Sequence, residues 1–366
     1  MKILFLTLYP GLQPSTRFRI LQFLPYLGPD TKYAIRPVVP EWVFRRFYGK
    51  KSFIEKAVFH LFEFFTRLKD IVFSFKYDVV FLQKSIATIN YRGLHCLLSL
   101  FSKNLIVDFD DAVTISPVTE VKLFPWVIFQ DRKQIYKIVS LAKAVIVGNQ
   151  RLSDDISEFN RNIFIIPTPV DTEYWSVNAD KYRKKDVINI LWSGNQSGHE
   201  LLKICYPALL KLRERRSFKI VILSDGDSSM VRKFLPEIDF NFIKWDTKTE
   251  KKVFFDADIG IMPVYDTLWN RRKCAFKALL YMASGIPVVS SPVGVVTSFI
   301  KDSENGFIAN TSQDWENKLE KLILSESLRK TVGLSGRDTV ENSFSLIKNA
   351  LLWKQVINGG ILKENK

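Results

Sequence analysis

Two lysines one turn apart, Lys273 and Lys277, open the run KCAFKALLYMASGIPVV (273–289), which reads as a helix followed at once by a strand. On that helix Phe276, Leu279, Leu280 and Ala283 form one apolar stripe, and Gly285 and Pro287 close it. Cations are unfavourable at a helix N-terminus unless an anion sits there. A phosphate would meet both the free N–H groups and the lysines. Solvated lysines whose stems cover apolar surface are the simpler alternative. Asn270, Arg271 and Arg272 just upstream make the start still more basic and favour the anion.

Three other stretches offer chemistry. WSGNQSGHE (192–200) follows a strong strand, and its small residues Ser193, Gly194, Ser197 and Gly198, with Asn195, allow a ligand close to the backbone. It is neither G-x-G-x-x-G nor a Walker loop, so it is a phosphate or sugar contact or an ordinary turn. VDFDDA (107–112) ends another strand. Its carboxylates, with Asp110 and Asp111 at the strand mouth, suit acid–base work or hydrogen bonds from sugar hydroxyls. A metal site is the weakest option there, and a helix N-cap the plain one. PSTRFR (14–19) sets Arg17 and Arg19 after the first strand, one of them facing a ligand. His60, His95 and His199 show no metal or triad spacing, so zinc and hydrolytic chemistry lack support.

Twelve short apolar runs must position these residues. They are 2–8, 33–39, 78–83, 104–109, 144–149 and 163–167, then 188–194, 218–224, 240–245, 258–264, 287–291 and 306–310. Helical patterns separate most of them, the signature of parallel sheets covered on both faces. The fold class is α/β, with two doubly wound Rossmann-like domains. A chain of 366 residues accommodates two such domains. PTPVDTEYW (167–175) marks the seam, giving 1–170 and 171–366, with the last helix (about 344–357) packing back on the first domain. In such sheets ligands sit at the carboxyl ends of the strands.

The net charge of +15 calls for an anionic partner or a solubilising surface. Residues 41–76, EWVFRRFYGKKSFIEKAVFHLFEFFTRLKDIVFSFK, crowd phenylalanines among cations, including Arg45, Arg46, Lys50, Lys51, Lys56, Arg67 and Lys69. That mixture suits a helix in an anionic membrane interface. Core-packing helices with solvated charges are the plain reading. Nucleic acid fits least, since no recognised module is present. No run is long enough to span a bilayer. The N-terminus reads as a strand rather than a signal peptide. Cys96, Cys205 and Cys274 form no C-x-x-C pair, which fits a reducing cytoplasm.

Several stretches together resemble the retaining GT-B glycosyltransferases of glycosyltransferase family 4. They are DADIGIMPV (256–264), KCAFKALLYMASGIPVVSSPVG (273–294), ENGFIA (304–309), DFDDA (108–112), AVIVGNQRLSDDI (144–156) and IIPTPVD (165–171). The resemblance implies two domains facing across a cleft and sugar transfer from a nucleotide donor, with retention by front-face substitution. The donor belongs to the C-terminal domain, with Ser193, Gly194, Asn195, Arg272, Lys273 and Lys277 about the diphosphate and Trp245 where the base packs. Asp110 and Asp111, with Lys273 and Lys277, are the catalytic candidates, and Arg17 and Asn149 belong to the acceptor side. No metal or resident cofactor is implied; the nucleotide-sugar, of unknown base, is a co-substrate.

The departures are specific. Many relatives carry two glutamates that align with Arg272 and Leu280, and neither carboxylate is present here. The G-R…K-G phosphate-binding pair is not evident. The sequence therefore predicts a hexosyltransferase acting on a lipid-linked saccharide or glycolipid in cell-surface polysaccharide synthesis, peripheral on the cytoplasmic membrane's inner face. The alternatives are a non-catalytic nucleotide-binding or scaffold protein of transferase descent, or a sugar-nucleotide epimerase on the same fold.

Overall fold

The computed structural model describes residues 1–11, 13–48, 52–89, 91–115, 133–178, 182 and 185–359. Lys50, Lys51, Lys181, Arg183 and Lys184 lie outside the described residues. Each of the twelve apolar runs holds one strand. Those of the first unit are β1 (Lys2–Thr7), β2 (Lys32–Pro37), β3 (Val79–Gln83), β4 (Leu105–Phe109), β5 (Ala144–Val147) and β6 (Ile163–Ile165), in the order β2-β1-β3-β4-β5-β6. All pairs are parallel. Every residue of β3, β4 and β5 is buried, because helices cover both faces of a parallel sheet.

In the second unit lie β7 (Ile188–Gly194), β8 (Phe218–Ser224), β9 (Phe240–Lys244), β10 (Ile259–Met262), β11 (Val288–Ser290) and β12 (Phe307–Ile308). They form a second parallel sheet, ordered β12-β11-β10-β7-β8-β9. Trp192, Leu209 and Trp315 belong to the core on one face of it, and Trp175, Phe254 and Tyr281 to the core on the other. The chain is thus α/β, with two Rossmann-like units of six strands each.

The units divide between Pro169 and Val170. The final helix, Leu346–Ile357, counted with 171–366 in the sequence reading, groups with the first unit. It buries Leu346, Ala350, Trp353, Val356 and Ile357, a helical stripe on the sheet. The Trp353 indole stacks on Phe23 with centroids 4.8 Å apart and lies 6.0 Å from Phe5.

The long helix Phe53–Val72 is held by a stripe at four-residue spacing: Phe59, Glu63, Arg67 and Ile71 are all buried. Two of the four carry charge, and each is satisfied. Arg67 donates to Ile86 O at 2.6 Å and Thr7 O at 2.8 Å, clasping the ends of β1 and the turn after β3. Burial brings its guanidinium down to about 10. Glu63 accepts from the Thr88 N–H at 2.6 Å and the Tyr91 hydroxyl at 3.1 Å.

Trp353→Ala removes the stack between the final helix and the first sheet, at an expected cost of about 3–5 kcal/mol. Chemical denaturation followed by far-ultraviolet circular dichroism checks this. A loss below about 1 kcal/mol would show that the helix adds little to this core.

Candidate functional site

Parallel strands present their carboxyl ends along one edge of each sheet, and the residues singled out by sequence lie on those edges. In the second unit the helix runs Phe276–Ala283, later than the sequence predicts. Ala275, at φ +49°, turns left-handed before it and breaks the register between the two lysines. Lys273 therefore ends the preceding short turn, Asn270–Arg272, and is exposed. Lys277 is the helix's second residue and is half-buried. Two lysines stacked on one helix face is thus corrected to one lysine on the helix and one before it.

Lys277 reaches back to the end of β7. Its ammonium lies 5.2 Å from the centre of the Trp192 ring, a cation–π contact. It also lies so close to Gly194 that a Cβ built there would be 2.6 Å from it. Gly194 is thus a glycine because the Trp192 ring and the Lys277 ammonium fill the space of a side chain. Among the described residues no carboxylate ion-pairs with Lys277. Burial first, and repulsion from Lys273 second, bring its ammonium down to about 8, against the attraction of Asp225. Tyr281, one turn on, accepts the Ser193 N–H at 2.9 Å and fixes the same strand end. Gly260 admits the Tyr281 ring, since a Cβ there would be 2.4 Å from it.

The loop after β7 is stapled to the end of β8. Gln196 N–H donates to Asp225 at 2.8 Å, and His199 pairs with the Ser224 hydroxyl at 2.8 Å. Asn195 accepts within its own turn, from Ser197 Oγ at 3.0 Å and, through its carbonyl, from Gly198 N–H at 2.9 Å. Burial lowers the His199 pKa, so this ring is a buried neutral hydrogen-bonding group. At the end of β9, Lys244 donates to Asp225 O at 2.7 Å, and the Trp245 indole N–H reaches Glu250 at 3.2 Å. Arg272 donates to Leu268 O at 2.9 Å and so closes its own turn. Leu280 is buried in the apolar core of this unit among Ala278–Ala283.

In the first unit the sequence-predicted residues separate. Arg19, rather than Arg17, is fully buried: it donates to Asp108 through Nε at 3.0 Å and again through Nη2, and to Ile166 O at 2.8 Å. Arg17 lies over the Phe18 ring at 4.7 Å. Asn149 is the N-cap of the helix Gln150–Asp154, accepting from Leu152 N–H at 3.1 Å, so its side chain has a structural task. Asp110 and Asp111 do stand at the mouth of β4. Lys84, which sequence reasoning missed, bridges them at 3.2 Å and 3.5 Å. Burial would raise the Asp110 pKa, but Lys84, then Arg19, and a hydrogen bond from Ser15 hold it below the usual carboxylate range. Lys84 was legible only through register: β3 pairs with β4 so that Gln83 is level with Asp108.

Residues 188–325 match the family described as Glycosyl transferases group 1. Over 74 residues the chain is 36% identical to the capsular polysaccharide biosynthesis glycosyltransferase CapM of Staphylococcus aureus, covering 19% of this chain and 18% of that protein. The whole chain is similar in fold to sucrose-phosphate synthase from Thermosynechococcus elongatus, with TM-score 0.71, 14% identity and 98% of each chain covered. It is also similar to HepE of Anabaena in complex with UDP-glucose, with TM-score 0.65, 13% identity, and 98% of this chain and 100% of that one covered. The second unit, which carries Lys277 and Gly194, is thus similar over residues 188–325 to the glycosyl transferases group 1 family, and the whole chain shares the two-domain fold of the GT-B structures above.

Proposed function

We propose that the protein is a glycosyltransferase that moves a hexose from a nucleotide-sugar to a saccharide or glycolipid acceptor, with retention at the anomeric carbon. The observation that carries this reading is Lys277, a half-buried ammonium with no carboxylate partner, held against the glycine at the end of β7. An anion is what such a cation lacks, and a leaving diphosphate is the anion that sugar transfer generates. A fixed cation there stabilises charge as it develops, without reorganisation. Exposed Lys273 adds positive potential from the preceding turn. The group 1 domain and the UDP-glucose complex of HepE support a nucleotide-sugar donor. Asp110 and Asp111 meet the acceptor hydroxyl in this reading. A scaffold role draws only on the missing carboxylates at Arg272 and Leu280, which the cation does not require.

The acceptor is lipid-linked and lies at an anionic membrane surface. Along the helix Phe53–Val72, Ile54, Leu61, Phe65 and Val72 are exposed and spaced to fall on a single line. Trp42 and Phe62 pair beside it with centroids 5.4 Å apart. Arg45, Lys69 and Lys76 are exposed in the same arm. A solvated helix would carry polar residues along that line; aromatic and aliphatic residues with cations beside them match a lipid interface. Among the described residues no helix is long and apolar enough to cross a membrane. CapM, named for capsular polysaccharide biosynthesis, is consistent with a cell-surface product.

Calorimetry with UDP-, GDP-, ADP- and CDP-sugars should find one clear donor, and Lys273→Met with Lys277→Met should abolish both its binding and transfer while the circular dichroism spectrum is kept. Full transfer by that double variant would remove the phosphate assignment. Because the free Lys277 ammonium loses its proton near pH 8, nucleoside diphosphate affinity should fall above that pH, by up to about tenfold per pH unit. Titration at pH 7 and pH 9 reads this, and Lys277→Met should flatten the dependence. Replacing Arg45 and Arg46 by Gln should weaken sedimentation with phosphatidylglycerol vesicles by about thirtyfold, from about 1 kcal/mol per cation. Equal binding by that variant and the parent would refute the membrane assignment.

A further inference from the structure

The mouth of the first sheet is built around a side chain held in an unfavourable backbone. Lys84 has φ +63°, and Ser85 N–H bonds Gln83 O across it at 2.9 Å, the pattern of a γ-turn of the rare hand. Glycine or asparagine takes this conformation at lower cost. A lysine kept there is explained by where its ammonium goes. The Lys84 N–H donates to Asp108 O at 2.8 Å, which anchors the turn to β4. Its Nζ then lies 3.2 Å from Asp110 and 3.5 Å from Asp111, where two adjacent carboxylates would otherwise repel.

The two carboxylates are not equivalent. Asp110 is 14% exposed and faces the helix Pro14–Arg19, where Ser15 also bonds it; Asp111 is 31% exposed. Beside them lies a polar seam, with Thr16 Oγ donating to Gln83 at 3.2 Å and Arg19 to Asp108 at 3.0 Å. Gln83 is fully buried, and its amide nitrogen has no partner within the protein. A donor left unmet in a buried seam calls for an oxygen from outside the chain.

We propose that Lys84 is a positioning residue of the acceptor site: with Asp110 it forms a fixed buttress that aims Asp111 at a hydroxyl of a sugar or polyol. This rests on the glycosyltransferase reading and divides the work within its acceptor side. Lysine supplies between the carboxylates the positive charge that a cation would otherwise bring, and leaves Asp111 as the accessible acceptor of a hydroxyl hydrogen bond.

The test uses the full chain and saturation-transfer NMR, with methyl glucoside and maltose as probes. Binding is expected in the parent, lost by at least tenfold in Lys84→Met and in Asp111→Asn, and largely kept in Lys84→Arg. Nucleotide-sugar binding by the second unit, measured on the same samples, should not change. Absence of probe binding in the parent, or equal binding in Lys84→Met, would overturn the proposal. So would equal loss in the Lys84→Arg variant, which a purely structural role for the turn would produce. A failure confined to nucleotide-sugar binding would instead count against the function proposed above. Asp111→Asn leaves Lys84 paired with Asp110, so it reports even where Lys84→Met does not fold.

Discussion

A charge taken out of water must find a counter-charge or be neutralised, a cation by losing a proton and a carboxylate by gaining one, and this constraint orders both strand mouths. In the first unit it is met internally. Arg19 and Asp108 are both fully buried, and a pair of this kind is costly to break because either partner alone would be an uncompensated charge. The pair ties the helix Pro14–Arg19 to β4, and the bond from Arg19 to Ile166 O extends the tie to the segment after β6. Lys84 then balances Asp110 and Asp111. In the second unit the same constraint is left open. Lys277 has the Trp192 ring face and a distant Asp225, and its ammonium is correspondingly acidified. The first mouth balances its charges within the chain, whereas the second leaves Lys277 without a carboxylate ion pair among the described residues.

The frame of the fold was legible because it rests on local pattern. Runs such as VVFLQ and AVIV are buried on both faces, and continuous β-branched and apolar sequence has few other uses. The buried end of the helix Phe276–Ala283 was legible for the same reason. Its beginning was not. Ala275 takes a left-handed turn that alanine does not advertise, so the periodicity that placed Lys273 and Lys277 on one face ran one turn too far. Arg17 and Arg19 could be told apart only by the partner Asp108, which lies 89 residues away. Lys84 gave no local signal, since its role depends on β3 lying in register beside β4, which no short stretch of sequence displays.

Leu280 illustrates how a departure from a motif is absorbed. A carboxylate at that position, as in many similar proteins, would stand one residue from Tyr281 and one helical turn from Lys277. Leucine instead joins the apolar core, while the neighbouring tyrosine holds the end of β7 through Ser193. The end of β7 is therefore held without a carboxylate at position 280, and the leucine contributes to the fold through the core.

The electrostatic consequence follows from the same two substitutions. Where the pattern this stretch resembles has two glutamates, the chain has Arg272 and Leu280. In formal charge the stretch is more positive than that pattern by about three. Burial first, and repulsion from Lys273 second, lower the affinity of Lys277 for its own proton, to about 8. Binding of a doubly charged diphosphate would restore the proton and relieve the repulsion from Lys273 together. On the function proposed above, that cation would act on the phosphates, where the leaving charge of sugar transfer develops.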